Sequence, residues 1–176
     1  MNNTEKASGI KLVILDVDGV LTDGSLYFDN SGSEYKAFNS KDGHGIRLML
    51  DNEIEVAIIT GRTSELLKHR AENLKINPNL IYQGYRDKLP AFADLMSKTG
   101  FNKNQIAYVG DDVIDLPIMS QVGFSIAVND ANWFVKEHSD WVTNLNGGKG
   151  AVREASEFIL DSQGKLNSIY QDYLVE

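Results

Sequence analysis

The chain of 176 residues contains no cysteine. That excludes disulfides, a thiolate zinc site and a thiol nucleophile. No apolar run is long enough to span a bilayer, and the opening residues, MNNTEKASGIK, are polar where a secretory signal would be apolar. These absences lead to the expectation of a cytoplasmic protein. Histidine is scarce: His44, His69 and His138 are scattered without metal-ligand spacing. Positive charge is short too, with 17 Lys and Arg against 25 Asp and Glu, a net charge of −8. This balance argues against nucleic acid or an anionic membrane as partner. There is no internal repeat, low-complexity stretch or linker, and the length suits one α/β domain, expected to span residues 1–176.

What is present is a series of short apolar runs. Strands are predicted near 11–17, 54–60, 80–83, 105–109 and 123–128, with a further short one near Trp141. Helical segments are predicted near 43–52, 63–75, 87–99, 113–121, 131–137 and 150–162. Such alternation implies a doubly wound parallel sheet with helices on both faces. Trp133 and Trp141 read as core or interface residues.

The polar residues that end these runs carry the chemistry. In KLVILDVDGVLTDG, a buried strand delivers Asp16 and Asp18 into a Gly-containing turn. The carboxyl end of a strand is where an open α/β sheet binds ligands. Two acids there can divide labour, one attacking an electrophile while the other moves protons, with a divalent cation held by oxygen. In EVAIITGR the strand ends in Thr60-Gly61-Arg62, where a hydroxyl and free backbone N–H groups can donate to a phosphoryl oxygen and Gly61 permits close approach. Taken alone, Thr60 reads as a helix cap. Lys88 lies in the first turn of a predicted helix, against the macrodipole, so another group must hold it there. In QIAYVGDDVIDLPIM, Asp111, Asp112 and Asp115 crowd a mostly apolar stretch, which is costly without a cation.

DVDGVLTDG, the ITGR threonine, the lone Lys88 and GDDVIDLPIM resemble, in order and spacing, the four signature motifs of the haloacid dehalogenase-like phosphohydrolases. With FNSKDGHGIR, ITGRTSELL, YQG…DK and NGGKGAVREASEFIL, the chain from about Lys11 to Gly164 is similar to the 3-deoxy-D-manno-octulosonate 8-phosphate phosphatases. The resemblance implies that Asp16 is the nucleophile, forming an aspartyl-phosphate, and that Asp18 protonates the leaving sugar oxygen and then activates water. It implies Mg²⁺ on the Asp16 carboxylate, the Asp18 carbonyl and the Asp111 carboxylate. Thr60 and Lys88 would hold the phosphoryl group, while Asp112 and Asp115 would position bound water or Lys88. The acidic chain must then draw local positive charge from Mg²⁺, Lys88, Arg62 and the basic residues Lys41, Arg86 and Arg153, which with Gly61 are the expected substrate contacts. Many relatives carry Arg in place of Lys41 and an apolar or aromatic residue in place of His44. Sibling enzymes act on nine-carbon ulosonate 9-phosphates, so that substrate is the alternative.

Tyr27, Phe28, Tyr35 and Phe38 flank the turn Asp29-Asn30-Ser31-Gly32 and predict a β-hairpin flap at about 24–39, with no separate cap domain. In the resembled family such flaps meet in a homotetramer, and aromatic hairpin faces suit an interface. Asn146-Gly147-Gly148-Lys149-Gly150, ahead of a helix, can bind an anion but lacks the nucleotide P-loop pattern. The tail, 164–176, has Leu166, Ile169, Tyr170, Tyr173 and Leu174 on one helical face; it could dock on its own domain, fray, or reach into a neighbouring subunit's site, as tails do in the resembled family. Two readings from other classes compete. A signalling receiver domain places its acceptor Asp on a later strand and leaves Asp18 idle. A catalytically silent homologue would lack Asp16, Asp18 or Lys88, and all three are present.

Overall fold

The computed structural model describes residues 1–174. Chain order is α1 (Asn3–Ser8), β1 (Leu12–Leu15), β2 (Tyr27–Phe28), β3 (Glu34–Tyr35), α2 (Ser40–Asp51), β4 (Glu55–Ile59), α3 (Glu65–Asn73) and β5 (Ile81–Tyr82). It continues with α4 (Leu89–Thr99), β6 (Ile106–Gly110), α5 (Leu116–Met119), β7 (Phe124–Ala127), α6 (Trp133–Glu137), β8 (Trp141–Val142), α7 (Ala151–Ser162) and α8 (Leu166–Asp172). Six strands form one sheet in the order β5-β4-β1-β6-β7-β8, every neighbouring pair parallel. The expected α/β architecture is therefore the one observed.

The strand order explains where the site must lie. The chain begins in the middle of the sheet, runs outward through β4 and β5, then crosses back to β6, β7 and β8. Right-handed crossovers put α2 and α3 on one face and α4, α5 and α6 on the other. Packing agrees: α2 and α1 both lie against α7, and α4 lies against α5. The direction of winding reverses at β1, which opens a crevice beyond the ends of β4, β1 and β6.

Apolar burial holds these strands in place. Leu12, Val13, Ile14 and Leu15 are all buried, as are Val56 to Ile59 and Ile106 to Val109. Each Val, Leu or Ile among them contributes about 1.5–3 kcal/mol by leaving water. Trp141 stacks on Phe158 at 4.5 Å between ring centroids, sealing the β8 edge against α7. Gly45 lets α2 and α7 approach: a Cβ there would meet the Arg153 Cα at 2.9 Å.

Several boundaries moved for local reasons. The predicted helix at 113–121 is only Leu116–Met119. Residues before it stay in a loop because the Asp115 carboxylate accepts from the Asp111 and Asp112 N–H groups at 3.0 and 3.2 Å. Helix α2 starts at Ser40 rather than 43, because the Asn39 side chain caps it by accepting from Lys41 N–H at 2.8 Å. Helix α1 is closed by a reciprocal Asn2–Glu5 capping box within a polar stretch that showed no element. The hairpin forms as expected, pairing Tyr27 with Tyr35. The tail folds as α8 back onto its own chain, burying Ile169; Val175 and Glu176 lie outside the described residues.

Candidate active site

Three adjacent strands deliver the predicted acids and the threonine to one end of the sheet. Asp16 follows β1 and continues its ladder, donating its N–H to Val109 C=O at 3.1 Å. Thr60 follows β4 and donates its N–H to Tyr82 C=O at 2.9 Å. Asp111 follows β6. Lys88 stands immediately before α4 and sends its stem into the interior, where only 2% of the residue remains exposed.

The Lys88 ammonium sits between two carboxylates. It lies 2.9 Å from Asp16 Oδ1 and 2.7 Å from Asp115 Oδ1. It also donates to the Tyr108 hydroxyl at 3.0 Å, and that hydroxyl donates to Asp115 Oδ1 at 2.7 Å. Burial alone would push the Lys88 pKa down, but Asp16 and Asp115 outweigh it and the net shift is upward. Lys88 is thus a fixed cation at neutral pH, and Asp16 and Asp115 are the partners that its place against the helix dipole required.

The carboxylates show the opposite strain. Asp16 is pushed up to about 6, by burial first and the Asp115 charge next, with Lys88 opposing. Asp111 is pushed up to about 8 by burial and by the charges of Asp16, Asp115 and Asp112. Asp16, Asp111 and Asp115 each offer an oxygen, all within 4.8 Å of one another. Asp115 has both oxygens engaged, one by Lys88 and Tyr108, the other by two backbone N–H groups. Asp111 Oδ1 is buried without a hydrogen-bond partner among the described residues. Oxygen-only donors, excess negative charge and an orphaned acceptor fit a hard divalent cation between Asp16 and Asp111.

Asp18 belongs to a second cluster. Its Oδ1 contacts Lys36 of the hairpin, and Arg62 Nε lies 3.8 Å from its Oδ2. Glu34 completes the group, 3.2 Å from Lys36 and 2.6 Å from Arg62. Gly19 is required here twice over: its φ is +101°, and a Cβ would fall 2.1 Å from Asp111 Oδ2.

The other expected residues have different surroundings. Asp112 is exposed and accepts from Val113 N–H at 2.8 Å; the acid on Lys88 is Asp115. The Gly-rich loop is not free to cradle a ligand with the α7 N-terminus. Gly150 and Arg153 N–H groups already donate to Asp42, at 3.2 and 2.9 Å. Gly147 and Gly148 instead pack on the backbone of Gly19 and Thr22. The Arg153 side chain contacts Glu157 and donates to the Tyr170 hydroxyl at 2.9 Å. Lys41 is exposed, and Gly61 lies against Arg86 at ordinary contact distance, 3.8 Å for a Cβ. Sequence reasoning missed Tyr108 and Lys36. A hydroxyl in the centre of a buried strand was the available signal for Tyr108, since such a group needs a partner.

Comparison with known proteins shows the family. The haloacid dehalogenase-like hydrolase family matches residues 81–155. The 3-deoxy-D-manno-octulosonate 8-phosphate phosphatase KdsC of Escherichia coli (strain K12) is 51% identical over 162 residues, 92% of this chain and 85% of that protein. The chain belongs to this phosphatase family. The Yersinia pestis 3-deoxy-D-manno-octulosonate 8-phosphate phosphatase structure superposes with a TM-score of 0.91 at 47% identity, covering 94% of this chain and 88% of that one. The family's structure from Moraxella catarrhalis, in complex with magnesium ion, phosphate ion and KDO, gives a TM-score of 0.93 at 39% identity, covering 97% of each chain. Among the described residues no helix is long and apolar enough to cross a membrane.

Proposed function

We propose that this chain is a Mg²⁺-dependent phosphomonoesterase that hydrolyses 3-deoxy-D-manno-octulosonate 8-phosphate to the free sugar acid and phosphate, in lipopolysaccharide precursor synthesis. The observation that carries this reading is the buried Lys88 ammonium held between Asp16 and Asp115 at the strand ends, in a chain 51% identical to a phosphatase of that name.

Asp16 attacks phosphorus, and the bond from phosphorus to the sugar oxygen breaks as Asp18 gives that oxygen a proton. Water then attacks the aspartyl-phosphate, Asp18 takes its proton, and the Asp16 carboxylate is released. Lys88 and the Thr60 hydroxyl hold the phosphoryl oxygens, and Lys88 lowers the repulsion between two approaching anions. A bound Mg²⁺ would rest on the Asp16 and Asp111 carboxylates and the Asp18 carbonyl, and it supplies charge neutralisation for the transferring group. Asp115 positions Lys88, and Asp112 orders water on the exposed side. Arg62 and Arg86 flank Gly61 and are assigned to the sugar acid. Lys41 and Arg153 lie on α2 and α7 and would join from a neighbouring copy.

Assembly and compartment are part of the same reading: a single domain over 1–176, in the cytoplasm, associating as a homotetramer. The support for association is the hairpin, which leaves Leu26, Tyr27, Phe28 and Tyr35 exposed together. Light scattering tests the assembly.

The deciding assay is phosphate release with Mg²⁺ from the octulosonate 8-phosphate beside a nonulosonate 9-phosphate. Strong preference for the eight-carbon substrate is expected; preference for the nine-carbon sugar would keep the mechanism and overturn the pathway. Asp16→Asn should reduce turnover by at least about 10⁴-fold while circular dichroism shows an intact fold.

A further inference from the structure

We propose that Lys36, on the hairpin, is a positioning residue for Asp18. The inference rests on the reading of the site as a phosphomonoesterase in which Asp18 transfers protons. Its basis is a closed ring of alternating charge, Asp18–Lys36–Glu34–Arg62, that ties the hairpin to the turn after β1 and to the turn after β4.

Lys36 stands out on its own element. The neighbouring hairpin residues Tyr27, Phe28 and Tyr35 are exposed, yet the Lys36 side chain is only 3% exposed. Lysine is rarely buried unless paired, and here both available partners are acids, Asp18 at Oδ1 and Glu34 at 3.2 Å. The consequence falls on Asp18. An aspartate has two equivalent oxygens and a side chain free to turn. With Oδ1 taken by Lys36, Oδ2 is left buried, facing Arg62 Nε at 3.8 Å but with no hydrogen-bond partner among the described residues. That oxygen is the one free to give its proton to the leaving sugar oxygen as the phosphorus–oxygen bond breaks. It later takes a proton from water as the new phosphorus–oxygen bond forms and Asp16 departs. Transfer needs a reach of roughly 2.6–3.2 Å, and a misplacement near 1 Å can lower the rate about 10²-fold. Lys36 sets which oxygen reacts and where it stands. Glu34 holds Lys36 and Arg62 in turn.

The test compares Lys36→Met and Lys36→Arg on two substrates: the octulosonate 8-phosphate, whose alkoxide leaving group needs a proton, and p-nitrophenyl phosphate, whose leaving group does not. Leaving-group release is followed in a single turnover, so that the first chemical step is isolated. Lys36→Met should slow that step about 30–100-fold on the sugar phosphate, with KM changed less than about threefold, and should slow it far less on the aryl ester. Lys36→Arg should restore most of the rate. Wild-type rates for Lys36→Met, an equal loss on both substrates, or a loss confined to KM would overturn the inference. A wild-type protein inactive on phosphate monoesters would instead overturn the reading of the site on which it rests.

Discussion

The two acids that end β1 are one residue apart and are held in opposite ways. Asp16 faces a cluster built from the core: Lys88, Asp115 and Tyr108, all buried, each bonded to at least one other. Asp18 faces a ring whose cations come from the hairpin and the turn after β4, and whose Arg62 side chain is 43% exposed. The first arrangement is assembled when the sheet is assembled. The second depends on a two-stranded hairpin that has little apolar support of its own. On the mechanism proposed above, the nucleophile sits on the buried side, and the group that exchanges protons sits beneath the exposed hairpin.

The sharpest way to break this contrast is Lys88→Met. It leaves Asp16 and Asp115 as uncompensated buried carboxylates, so urea unfolding at pH 8 should show a loss of about 3–5 kcal/mol. The loss should shrink toward pH 5, as Asp16, already pushed up to about 6, takes up a proton. Undiminished stability at pH 8 would mean that the two clusters do not differ in kind.

A medium effect is expected from magnesium and pH together. Asp16, pushed up to about 6, and Asp111, pushed up to about 8, hold their protons more tightly folded than unfolded. Their contribution to stability without metal is full below the ordinary carboxylate value of 3.8 and is lost as pH rises through 6 and 8. Mg²⁺ relieves the same crowding, so the rise in Tm on adding Mg²⁺ should be larger at pH 8.5 than at pH 5.5. Equal shifts at the two pH values would place the cation elsewhere.

The smallest effect belongs to the ring. Glu34→Gln removes one charge from a partly exposed network and should change unfolding stability by less than about 1 kcal/mol. A larger loss in the same urea titration would show that the hairpin is part of the core fold after all.

What was legible in the sequence follows the same division. Asp16, Thr60 and Asp111 stand out because buried parallel strands are unbroken apolar runs, and the polar residues just past each run mark the end of the sheet; Lys88 stands out instead by its place against the dipole of a predicted helix. Asp115 was recognisable only as one more acid in a crowded turn; that both its oxygens are engaged, and that it stops α5 from starting earlier, depends on folded backbone geometry. Tyr108 was read as a strand former, because its hydroxyl finds Asp115 and Lys88 only once β6 and α4 are placed. Lys36 carries no local signal, because its partner lies 18 positions away. Asp42 reaches the α7 N-terminus across 108 residues of chain, a contact no local pattern encodes. The sheet was visible as pattern. The charge networks were not, since their partners are distant in sequence and carry no periodicity.

The Gly147 and Gly148 packing has a consequence in time. β1 emerges early from the ribosome but is the centre of the sheet, and its second flanking strand, β6, ends at Gly110. Within the turn after β1, Leu21 and Thr22 N–H donate to Val17 C=O, but its anchor from far along the chain comes when Gly148 donates its N–H to Val20 C=O at 2.8 Å. A nascent chain that stops short of Gly148 holds both strands beside β1 and lacks that anchor. The turn that carries Asp18 is thus tied down from a distance only after every strand of the sheet has been synthesised.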